Sequence, residues 1–170
     1  GNFSVGLLHQ GSNQFRDQKF HLSYGRKILT NMDLGIQFDW LHNQVNGYEN
    51  IDKITVELGA VFRVSSDLLI ALHLFNPLAQ AYARDRTLSS GMTLGLSYQL
   101  GSRIKLMAEV EKDFYHNAQI KSAIDYTLMD NFALCIGMYT TENAPNITGG
   151  LHYKLQDYLA LDLAIAYHPY

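Results

Sequence analysis

His152 and Asp162 flank a short turn at Gln156–Tyr158, a spacing that lets an imidazole meet a carboxylate across a hairpin. With a serine such as Ser97, the pair could serve acyl transfer, the carboxylate orienting the imidazole that takes the nucleophile's proton. Nothing around Ser97 marks a nucleophile, and no orienting third group stands at a recognisable spacing. A structural His–Asp pair is the better reading, and no enzyme activity is expected. A second set of ionisable residues comprises Lys105, Glu109, Glu111, Lys121 and Asp125. An antiparallel register through a bend at Tyr115–Asn117 sets Glu109 opposite Lys121 and Lys105 opposite Asp125, while a second allowed register sets Glu111 opposite Lys121. Either one interleaves both signs of charge on adjacent strands. Unpaired charges in a narrow interior are costly, so these residues read as a salt-bridged lining, with a polar selectivity surface or ligand pocket as the functional alternative. Gln37, Asp39 and Glu57 belong to the same polar set.

Other chemistries are poorly served. The seven histidines, at positions 9, 21, 42, 73, 116, 152 and 168, place no ligand pair on one element, so neither a metal nor a cofactor is expected. A single cysteine, Cys135, excludes an intrachain disulfide framework and a cysteine-built metal site. Asn146-Ile147-Thr148 matches a glycosylation sequon, a weak signal. A net charge of −3 gives no basic patch for nucleic acid.

The elements that must carry these residues are strands. Over Gly91–Asp113, Met92, Leu94, Leu96, Tyr98 and Leu100 share one face, with Thr93, Gly95, Ser97 and Gln99 on the other. After Gly101-Ser102-Arg103 the alternation resumes, with Ile104, Leu106, Ala108 and Val110 on one side and Lys105, Met107, Glu109 and Glu111 opposite. A period of two with one apolar face is a half-buried antiparallel hairpin, and each arm has about the ten residues a tilted strand needs to cross a bilayer. The pattern recurs from Phe3 to Tyr167, giving about eleven strands and no helix. Breaks fall at a polar loop Gly11–Gln18, at Leu29–Met32, at a loop His42–Asp52 holding Asn46-Gly47, and at Ser65-Ser66-Asp67. The longest loop opens at Asn76-Pro77 and runs through Tyr82, Arg84 and Arg86 to Ser90. Further breaks fall at Asp130-Asn131, Thr140–Pro145 and Gln156–Tyr158. No linker divides the chain, so residues 1–170 are expected to form a single domain.

Hydrophobic residues make up 47% of the 170 and charged residues 17%, yet no apolar run approaches the length of a transmembrane helix. Tight turns near residues 30, 66, 102, 130 and 157 alternate with longer loops, as in barrels that have one tight end and one looped end. Tyr24, Phe62, Tyr98, Tyr126 and Tyr153 each stand three residues before a fixed point of a tight turn, always on the apolar face, which is the form of an interfacial aromatic girdle. Trp40, Met138 and Tyr167 are candidates for the opposite rim. A soluble barrel with an apolar interior and a small apolar ligand shows the same period. The girdle, the alternating loops and a polar face rich in Gly, Ala, Ser and Thr favour an all-β, antiparallel up-and-down transmembrane β-barrel instead. In that case Leu94, Leu96, Leu161 and Leu163 face outward.

GIQFDW (Gly35–Trp40), HLFNP (His73–Pro77), AEVEKD (Ala108–Asp113) and the ending AYHPY (Ala166–Tyr170) resemble outer-membrane barrels of Bacteroidota similar to the PorV and FadL type. That resemblance implies a barrel of about fourteen strands, two before Phe3 and one after Tyr170, with a plugging N-terminal segment. It implies a bacterial outer-membrane location and either of two non-enzymatic functions. One is transport of small hydrophobic molecules, and the other is docking in type IX secretion; a structural barrel with a closed lumen is the alternative. The implied partners are outer-membrane lipid and lipopolysaccharide, with secretion-system components or secreted cargo under the docking function. The ten polar residues Gln37, Asp39, Glu57, Lys105, Glu109, Glu111, Lys121, Asp125, His152 and Asp162 would then line the lumen.

Overall fold

A computed structural model of the chain describes residues 1–12, 15–45, 47, 50–77, 81–83, 86–87, 90–140, 145–156 and 159–167. Asn46, Arg84, the middle of the Thr140–Pro145 loop, Tyr158 and the ending His168-Pro169-Tyr170, all singled out in the sequence, lie outside the described residues.

Strands follow from the alternation in register after register. They are β1 (Asn2–Gly11), β2 (Phe15–Leu29), β3 (Met32–Val45), β4 (Ile51–Arg63), β5 (Leu68–Phe75), β6 (Ala81–Ala83), β7 (Arg86–Thr87), β8 (Gly91–Leu100), β9 (Ile104–Asp113), β10 (Gln119–Met129), β11 (Phe132–Thr140), β12 (Pro145–Gln156) and β13 (Leu159–Tyr167). Eleven of them form one sheet in sequence order, β1 to β5 and then β8 to β13, while β6 and β7 pair with each other. Every register resolved between neighbours is antiparallel, so the sheet is an up-and-down meander. By contacts the chain divides into two compact units. The first holds Gly1–Phe62, Leu72–Met92 and Asp113–Tyr115, and the second holds Arg63–Ala71, Thr93–Lys112 and His116–Tyr170.

Burial is inverted relative to a water-soluble sandwich. Among the described residues no hydrophobic side chain is buried, whereas Asp39, Thr55, Asn76, Ser90 and Asn146 are. Along β8 the alternation is strict, with every apolar residue exposed and every intervening Thr, Gly, Ser or Gln partly covered. Leu94 and Leu96 lie 48% and 42% exposed, on the face of β8 expected to turn outward, whereas β13 is exposed on both faces, so the exposure of Leu161 and Leu163 does not distinguish them from Asp162. A buried leucine gains roughly 1.5–3 kcal/mol over an exposed one, so a continuous apolar face of this extent is unfavourable in water.

Tight turns close one end of the hairpins. Only Thr30 and Asn31 separate β2 from β3, and only Asp130 and Asn131 separate β10 from β11. The register slips by one just before the turn in β2, β10 and β12, at Lys27/Leu29, Thr127/Met129 and Lys154/Gln156. A bulge there inserts one residue and sharpens the local twist of the strand entering the turn. Gly101 (φ 65°) supplies the left-handed residue between β8 and β9. Between β4 and β5, Ser65 Oγ accepts from the amides of Asp67 (3.2 Å) and Leu68 (3.1 Å).

Three sequence expectations need correction at the other end. The stretch Gly11–Gln18 is not all loop, because β2 begins at Phe15, and the loop expected over His42–Asp52 is shortened by β3 and β4. Polar residues read as loop here, but they pair directly across strands. Asn43 Nδ2 donates to Asp17 Oδ1 at 2.9 Å, His42 Nδ1 lies 2.9 Å from Asp52 Oδ1, and Gln18 Nε2 lies 3.1 Å from His9 Nδ1. These bonds carry the ladder past the apolar stretch. The segment from Asn76 to Ser90 also contains the short β6–β7 hairpin instead of loop throughout. Its ends are pinned within the first unit: Asn76 N donates to Val56 O (2.9 Å), Ser90 Oγ to Asn76 O (2.6 Å), and Phe114 N to Ser90 O (3.2 Å).

Candidate functional site

The polar face gathers the ionisable residues, and each unit builds its own arrangement. In the first unit, the registers across β2, β3 and β4 make two rows, His21–Asp39–Thr55 and Ser23–Gln37–Glu57. Lys19, one row away, extends its ammonium to both acids, 3.2 Å from Asp39 Oδ2 and 2.9 Å from Glu57 Oε1. Gln37 Nε2 donates to Asp39 Oδ1 at 2.9 Å, and Thr55 Oγ1 donates to Asp39 Oδ2 at 3.3 Å. His73 Nε2 meets the other oxygen of Glu57 at 2.9 Å. The Asp39 side chain has no solvent exposure, and both of its oxygens are engaged. A carboxylate so enclosed is tolerable only with a counter-charge and donors in place, and Lys19, Gln37 and Thr55 supply them. Two carboxylates share one ammonium, so the network favours an additional positive or proton-donating group at its open edge, the position His73 takes.

The sequence reading flagged Gln37, Asp39 and Glu57 but missed Lys19, Thr55 and His73. Period-two parity alone puts Lys19 and Thr55 on the face of Asp39. What it cannot give is the register through the polar β3–β4 connection, whose ends the sequence leaves open, and β5 is the least regular of the strands.

In the second unit β9 and β10 pair with Glu109 opposite Lys121 and Lys105 opposite Asp125, the first of the two registers considered. Glu111 faces Gln119 instead, yet Lys121 Nζ reaches it diagonally at 2.6 Å as well as Glu109 at 2.8 Å. Lys105 and Asp125 face each other but form no ion pair. His152 and Asp162 are register partners, with Nδ1 2.7 Å from Oδ1 and both side chains at least half exposed. Ser97 on β8 lies four strand positions from β12, about 19 Å along the sheet, so the sheet does not assemble the three into a triad. Among the described residues no group of three or more His, Cys, Asp or Glu side chains could hold a metal ion.

On the apolar face, Tyr24, Phe62, Tyr98, Tyr126 and Tyr153 occupy comparable positions near the tight turns. Phe3 and Tyr24 pack with ring centroids 4.7 Å apart, and Phe132 meets Tyr153 edge-on at 6.2 Å. Phe62, Tyr98, Tyr126 and Tyr153 are 36–41% exposed. Trp40 lies against His42 at the other end of β3, with centroids 5.8 Å apart.

No protein-family model matches the chain, and no curated protein matches it. Solved structures do. The toluene transporter TbuX of Ralstonia pickettii superposes with a TM-score of 0.72 at 11% identity, over 89% of this chain and 62% of that one. A FadL homologue of Pseudomonas aeruginosa gives 0.60 at 11% identity, over 89% and 59%. The KdgM porin gives 0.54 at 12% identity, over 96% and 89%. The chain thus spans about three-fifths of the length of the first two. All three are outer-membrane β-barrels, and at these identities the likeness is one of fold. The chain has the all-β, antiparallel up-and-down strand architecture of outer-membrane β-barrels.

Proposed function

We propose that this chain is part of a bacterial outer-membrane β-barrel that moves small molecules across the membrane without catalysing a reaction. The observation that carries this reading is the inverted burial, with an exposed apolar face backed by a polar face that covers Asp39 and Thr55 and pairs Asp39 and Glu57 with Lys19. A bilayer takes up the first, and a wet interior takes up the second. In this reading residues 1–170 act within one barrel domain, the apolar face meets lipid and lipopolysaccharide, and the ten polar residues line the lumen. The five aromatics near the tight turns form the interfacial girdle.

The transporter and porin neighbours support transport as the role of such a lumen. A hydrophobic substrate draws support from the toluene transporter. The PorV-like, Bacteroidota and secretion-docking assignments rest on the short sequence motifs alone. The test is reconstitution. The barrel that contains this chain, folded into vesicles, is expected to migrate differently on gels before and after heating and to speed solute entry over empty vesicles. A detergent-free, monodisperse species that leaves vesicles sealed would overturn the proposal.

A further inference from the structure

Most of the acids and lysines that the polar face brings together are tied up. Lys19 holds Asp39 and Glu57, Lys121 holds Glu109 and Glu111, and His152 holds Asp162, all at 2.6–3.2 Å. Lys105, Asp125 and Arg103 of the second unit depart from this pattern. Lys105 and Asp125 are direct cross-strand partners, and Arg103 precedes them at the β8–β9 turn, yet none of the three makes an ion pair or a side-chain hydrogen bond. These residues border two depressions of about 370 Å³ each. One has Arg103, Lys105 and Asp125 on its walls. The other has Asp125 and the His152–Asp162 pair on its walls and the small residues Cys135 and Gly150 on its floor. Asp125 and Ala133 belong to both. The depressions together form a trough that is basic at one end and acidic at the other, on a scale that suits a small ligand.

We propose that this trough binds a small zwitterion, its carboxylate against Arg103 and Lys105 and its ammonium against Asp125. A plain anion would meet Asp125 and Asp162, and a plain cation would meet Arg103 and Lys105, so like-charge repulsion selects against both. Directly opposed strand residues have Cβ atoms about 5 Å apart, which matches the separation of the two charges on a short amino acid. Small floor residues leave space for its carbon chain, and planar Arg103 offers a bidentate grip on the carboxylate. The inference rests on the proposed function only in taking the polar face to be turned away from lipid.

Calorimetry on the chain in detergent micelles tests this with γ-aminobutyrate, acetate and methylammonium as probes. γ-Aminobutyrate is expected to bind at least about tenfold more tightly than either single-charge ion. Asp125→Asn and Lys105→Met are each expected to weaken γ-aminobutyrate binding about tenfold, and Asp125→Asn should leave acetate no weaker. Equal binding of acetate or methylammonium, or no saturable heat from γ-aminobutyrate, would overturn the proposal. Should a variant lose its heat-dependent gel shift, the ranking of the three probes on the unaltered chain decides. Binding in micelles does not require flux, so a chain that binds the zwitterion but conducts nothing would refute transport and leave this site standing.

Discussion

Replacing Lys19 by Met removes the ammonium shared by Asp39 and Glu57 while keeping the aliphatic stem. Asp39 has no exposed side-chain surface and keeps only the neutral donors Gln37 and Thr55, and Glu57 keeps His73. Breaking a fully buried ion pair costs about 3–5 kcal/mol. Lys19 is 26% exposed, so water partly compensates and about 2–4 kcal/mol is the expected loss. Lys121→Met is the internal control. That lysine and its two acids are 37–47% exposed, so no more than about 1 kcal/mol is expected there. Neutralising Asp39 in the Lys19→Met background, as Asp39→Asn, should recover part of the loss, because the orphaned charge is what destabilises. Reversible urea unfolding in lipid vesicles, followed by tryptophan fluorescence from Trp40, measures all of these. If Lys19→Met cost no more than Lys121→Met, or if Asp39→Asn deepened the loss, the buried network would not be carrying stability as described.

Three other outcomes follow from the same structure. Leu96→Arg, in the middle of β8 on the apolar face, should cost about 2–4 kcal/mol in a bilayer by unfolding titration, whereas Ser97→Arg on the polar face should cost clearly less. Gly101→Ala forces a Cβ into a φ of 65° and should lower stability by about 1 kcal/mol in the same assay. Ser90→Ala removes the 2.6 Å bond to Asn76 O at a buried site, costing about 1–2 kcal/mol, and should raise amide exchange around Asn76 and Phe114 more than in β10.

The parts of this arrangement that the sequence made legible are those governed by local rules. Glu109–Lys121, Lys105–Asp125 and His152–Asp162 face each other across short connections, so turn length and parity suffice to pair them. The exposure of Leu94 and Leu96 against their covered neighbours follows from the same period of two. Lys19 and Asp39 are related across the two-residue β2–β3 turn, but Glu57 joins them only when β4 is aligned through the polar connection that follows Val45, and no local signal sets that alignment. His73 joins them from the strand with the weakest alternation. The extension of β2 back to Phe15 was hidden because Asp17 and Gln18 look like loop residues, although their side chains pair across the ladder. The diagonal reach of Lys121 to Glu111 escaped for another reason: a flexible four-carbon stem can serve a partner that backbone register assigns elsewhere.

The proposed barrel turns the apolar face of the sheet to lipid. The most direct test of that placement is spin-label accessibility along β8, with cysteine replacing each residue from Thr93 to Gln99 in turn in a Cys135→Ser background. In vesicles, collisions with membrane-soluble oxygen are expected to peak at 94, 96 and 98, while a water-soluble nickel chelate favours 93, 95, 97 and 99. The opposite phase, with the chelate reaching the leucine positions and oxygen the polar ones, would contradict it.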